Sequence, residues 1–67
     1  MMQNYPKISL SAARVNAGLS QKAAAKKLGI NVRTLQNYEN GKTSPNWDIV
    51  RKIEKLYVFP IDYIFLP

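Results

Sequence analysis

At 67 residues the chain has room for one domain, and a domain this short buries only about 60% of its unfolded surface, so its core must be economical. It has no cysteine and no histidine, which removes disulfides, thiolate and finger-type zinc sites, a thiol nucleophile and the usual general base. Ten basic residues against four acidic ones give a net charge of +6, a strong positive field suited to an anionic partner such as nucleic acid. With only Glu39, Asp48, Glu54 and Asp62 as acids, the chain offers no catalytic constellation, and we expect no enzyme, no cofactor, no metal and no small-molecule substrate. No apolar run approaches the ~18 residues of a membrane span, and the first residues hold no apolar signal core. The expected location is therefore the cytoplasm, at the nucleoid, with no membrane partner.

Residues 1–7 are polar and contain Pro6, which reads as a loosely held arm ahead of a domain over 8–67. Ser9 is placed to cap a first helix, Leu10 to Ala17, with Leu10, Ala13 and Ala17 on one face. Gly18 ends it, and Leu19 turns to the core before a second cap at Ser20. Gln21 to Leu28 is rich in alanine and lysine and strongly helix-forming, with Ala24, Ala25 and Leu28 along one side. Gly29 supplies a left-handed stop, and Asn31 caps a third helix from Val32 to about Asn40. Two helices joined by a short turn with a glycine form a helix-turn-helix arrangement, here over about 20–40.

In the third helix Leu35 is the inward centre. Arg33 and Asn37 each stand about 160° from it, in opposite senses, and face outward, while Thr34 and Gln36 lie on the flanks. Gly41 closes that helix, so all three glycines fall at helix ends. Asn46 caps a fourth helix to about Tyr57, with a core face of Trp47, Val50, Ile53 and Leu56 or Tyr57. Asp48 in its first turn and Lys55 near its end suit the helix dipole. Pro60 suits the first position of a short fifth helix carrying Ile61, Ile64 and Phe65. The expected fold is all-α, compact and five-helical, without strands.

The pattern Arg14-x-x-x-Gly18-Leu19-Ser20-Gln21, Ala25-x-x-Leu28-Gly29, Thr34-Leu35-x-x-Tyr38-Glu39-Asn40-Gly41-Lys42 and Pro45 resembles the Cro/cI-type, lambda-repressor-like helix-turn-helix family. The resemblance spans about Ile8 to Phe65, and its specificity lies in the joint spacing across four helices. It implies a five-helix domain that binds operator double-stranded DNA as a transcriptional regulator, usually a repressor, with the third helix in the major groove. By position it makes Val32, Arg33, Gln36 and Asn37 base readers. Ser20, Gln21, Thr34, Asn40 and Lys42 match positions that touch the DNA backbone; Lys22 joins them as a basic neighbour. Arg14 and Glu39 match a structural ion pair beneath the recognition helix.

Chemistry supports these roles. The Arg33 fork fits guanine O6 and N7, Val32 offers methyls to a thymine methyl, and Asn37 can pair adenine or reach a phosphate or water. Lysines 26 and 27, Arg51, Lys52 and Lys55 read individually as solvated helix surface. The chain departs from the family at Ala24, where leucine is common, and at Val58, where glycine is common. The first departure leaves space for Trp47 or Tyr38. The C-terminal aromatic cluster exceeds what a core of this size needs, which singles out Tyr63, Phe65 and Leu66 as contacts of a homodimer formed at least on DNA. A prophage or mobile-element origin fits so small a regulator. The alternative function is a protein-interaction module on the same fold, of antitoxin or anti-repressor type.

Overall fold

The computed structural model describes residues 8–60 and 64–65. The elements in order are β1 (Ile8–Ser9), α1 (Leu10–Asn16), α2 (Gln21–Leu28), α3 (Val32–Glu39), α4 (Trp47–Tyr57) and β2 (Ile64–Phe65). All four helices start at a polar cap. The Ser9, Ser20, Asn31 and Asn46 side chains accept from the backbone N–H three residues on, at 3.0, 3.0, 3.4 and 3.0 Å. The arm expected over residues 1–7 lies outside the described residues.

Gly29, at φ 74°, ends α2 in the left-handed region, and Ile30 N–H donates back to Ala25 O at 3.0 Å. This sharp stop lets α3 begin at Val32 and fold back across α2. The two helices meet over small side chains: Ala24 is 0% and Ala25 2% exposed, with Leu28 and Leu35 sealed in the same cluster. Leu10, Ala13, Ile53, Tyr57 and Ile64 complete that cluster, so α1 and α4 back the helix pair.

Three expectations are corrected. Four helices stand among the described residues, and Ile64–Phe65 is a strand, not part of a fifth helix. It pairs in parallel with Ile8–Ser9, Ile8 opposite Ile64, so the two ends of the domain are joined by backbone hydrogen bonds. Ile64 is buried by this pairing, and its apolar character, read as a helix face, serves a strand. Trp47 is not core: it is 72% exposed. With Ile49 and Leu56 packed against the core beside Val50, Ile53 and Tyr57, the buried face of α4 centres roughly 120° from Trp47. Tyr38, the other candidate for the space beside Ala24, does pack against the core.

Val58 ends α4 at φ 53°, ψ 51°, a left-handed conformation that a β-branched residue adopts only under strain. Its side chain is 83% exposed and offers little packing in return. Relief of roughly 1–3 kcal/mol of strain, less about 0.4–1 kcal/mol of added unfolded-state entropy, makes Val58→Gly stabilising. Thermal unfolding is expected to shift upward by several degrees; an unchanged or lower midpoint would refute the strain at this turn. No described helix is long and apolar enough to cross a membrane.

Candidate nucleic-acid interface

The outward side of α3 is built by its own periodicity. With Leu35 locked beneath, Val32 and Arg33 protrude at the helix start, 40% of Val32 being exposed. Asn37, Gln36 and Thr34 are half-buried along the flanks. The turn after α3 folds back on the helix, with Lys42 N–H donating to Asn37 O at 2.9 Å, and leaves the Asn40 and Lys42 side chains exposed beside the end of α3.

The start of α2 lies alongside. Ser20 Oγ accepts from Ala23 N–H and keeps its own proton to donate outward, while the Gln21 and Lys22 N–H groups lack carbonyls within the helix. Such a helix start attracts anions. Lys22, Lys26 and Lys27 are exposed on α2, and Glu39 is the sole acid between residues 8 and 47.

Glu39 adds no negative charge to that surface because it is turned inward. Arg14 Nε donates to Glu39 Oε2 at 2.8 Å and Nη2 to Oε1 at 3.4 Å, while Nη1 donates to Leu19 O at 2.8 Å. The side chains are only 13% and 5% exposed. The pair therefore ties α1, the turn before α2 and the last turn of α3. Gln21 Nε2 also donates to Glu39 Oε1 at 2.9 Å, and Gln36 Nε2 to Gln21 Oε1 at 3.4 Å. This extension was not read from the sequence. The spacing of Gln36 and Glu39, three apart on one helix, does put both on the side that meets the start of α2.

Tyr57 lies below this network, 3% exposed, its hydroxyl without a hydrogen-bond partner among the described residues. Burial first, and then the Glu39 charge, push its phenol up to about 12, with Arg14 opposing. The native state holds this proton where the unfolded chain, near 10.0, has lost it, so stability falls as pH rises from 10 to about 12. Tyr57→Phe is expected to remove that part of the fall and to be at least as stable at pH 7, since it deletes an unpaired buried hydroxyl. Matched urea titrations at pH 7 and 11 test this; equal pH losses in the two proteins would contradict it.

Of the remaining expected site residues, Tyr63 and Leu66 lie outside the described residues, and Phe65 is described only as backbone in β2. Among the described residues no cluster of acidic side chains could hold a metal ion.

The profile of a helix-turn-helix family matches residues 10–64. The chain is 42% identical over 55 residues to the HTH-type transcriptional regulator ImmR of Bacillus subtilis (strain 168), a match that covers 82% of this chain and 43% of that protein. The chain thus spans less than half the length of this relative. No solved structure gives a significant match.

Proposed function

Since the chain belongs to the Cro/cI-type helix-turn-helix family, we propose that it is a sequence-specific double-stranded-DNA-binding transcriptional regulator that represses by occupying an operator. One observation carries this reading: the start of α3 is exposed, and the start of α2 lies beside the end of α3, where the Glu39 carboxylate is sequestered by Arg14. Val32, Arg33, Gln36 and Asn37 read base edges in the major groove. Ser20, Gln21, Lys22, Thr34, Asn40 and Lys42 hold the phosphates on either side and set the register.

Two copies on a two-fold-symmetric site, half-sites about 34–36 Å apart, give the binding geometry. Tyr63, Phe65 and Leu66 are the proposed self-association contacts. The interaction-module alternative is less well supported, because it leaves the exposed Arg33 of α3 and the exposed lysines of α2 without a role.

Binding to duplex DNA is expected to weaken steeply with salt, since each neutralised phosphate releases counterions. Lys22→Ala and Lys42→Ala should each weaken binding uniformly across sequences and lower the log–log salt slope by about 1, the share of one neutralised phosphate. Fluorescence anisotropy across a salt series measures both. Slopes equal to that of the unaltered protein would remove these two lysines from the interface.

A further inference from the structure

The side chains of Glu39, Gln21 and Gln36 form a chain whose direction is fixed at one end. A carboxylate only accepts hydrogen bonds, so the Gln21 amide must turn its nitrogen to Glu39 Oε1, 2.9 Å away. Its carbonyl oxygen then faces Gln36, whose nitrogen donates at 3.4 Å. One Gln36 N–H is thereby committed. Its carbonyl oxygen and second N–H are left in a set order. Arg14 grips both oxygens of Glu39 from the other side, at 2.8 and 3.4 Å, and keeps the carboxylate from rotating.

We infer that Glu39 and Gln21 are positioning residues that fix the direction of the Gln36 amide and so set the base it accepts. This rests on the proposed reading of DNA by α3. An amide offering an N–H and a carbonyl side by side matches adenine, which presents the N7 acceptor and the N6 donor in the major groove. Were the chain reversed, Gln36 would accept from Gln21 and turn its NH2 outward, towards acceptor edges such as guanine O6 and N7. The fixed carboxylate excludes that reversal. The ion pair beneath the recognition helix is therefore linked through two amides to the choice of base.

Binding selections from random duplex DNA with the unaltered chain, Gln36→Met, Gln21→Met and Glu39→Gln test this. Gln36→Met locates the base pair that Gln36 reads, where the unaltered chain should prefer adenine over guanine by on the order of tenfold. Gln21→Met leaves the Arg14–Glu39 pair intact and should bring that ratio close to one, while the preferences at other positions stay. Glu39→Gln can accept from Arg14 and donate to Gln21, reversing the chain, and should shift the preference towards guanine. Circular dichroism identifies any variant that is not folded, and Gln21→Met then decides alone. Uniform weakening in Gln21→Met with the adenine-to-guanine ratio unchanged would overturn the relay and leave Gln21 a plain phosphate contact. If the unaltered chain enriches no motif, the DNA reading itself fails and the relay with it; if Gln36→Met leaves an enriched motif intact, only Gln36 reading and the relay fail.

Discussion

Glu39→Ala is expected to destabilise the fold by about 3–5 kcal/mol, the usual loss when one partner of a buried ion pair is removed. The side chains of Arg14 and Glu39 are 13% and 5% exposed, so neither charge recovers its hydration once the other is gone. Arg14 would keep only the Leu19 carbonyl, and the Gln21 amide would lose its acceptor. A domain of ordinary stability holds about 5–15 kcal/mol in all, so most of the native population of so short a chain is at stake. The double variant Arg14→Met/Glu39→Leu should recover much of the loss, because two apolar side chains leave no uncompensated charge. Urea unfolding measures both. A loss below about 1 kcal/mol for Glu39→Ala would mean that the pair behaves as an exposed one.

Arg33→Ala is expected to leave the fold intact and to lose base discrimination worth about 1–3 kcal/mol at one position. Arg33 is exposed, stands opposite Leu35 and takes part in no described hydrogen bond or ion pair on which the fold depends. Its guanidinium is the one group on the exposed face of α3 able to donate two parallel hydrogen bonds to a guanine. Its loss should therefore abolish one preference more than it lowers overall affinity. Unfolding curves that coincide with the unaltered protein, together with a flattened preference at one base pair, are the expected pair of results. Uniform weakening at every position would make Arg33 a phosphate contact.

The helices were legible because each has its own punctuation. Ser9, Ser20, Asn31 and Asn46 cap, and Gly29 stops α2, before any tertiary contact is considered. The inward places of Leu35, Ala24 and Leu28 follow from a period that one helix sets alone. The strand pair was not legible, since two residues at each end carry no alternation to read and the pairing joins segments more than fifty positions apart. Trp47 misled because three-residue spacing from Val50 looked like a shared face, and the weight of Ile49 on the other flank, beside Leu56, was not included. The hydrogen bonds of Gln21 escaped for a different reason. A glutamine at the start of a helix has the same pattern whether it faces solvent, phosphate or a carboxylate, and only the packing of α3 on α2 brings Glu39 within 2.9 Å. Val58 was identified as a turn without glycine, and the structure supplies its conformation.

The central claim is that α3 reads DNA, and a binding selection from random duplex DNA with the unaltered chain and Arg33→Ala side by side tests it most directly. The account predicts that the unaltered chain enriches a two-fold-symmetric motif and that Arg33→Ala retains the motif except for one base preference in each half-site. Enrichment of no motif by either protein would contradict it.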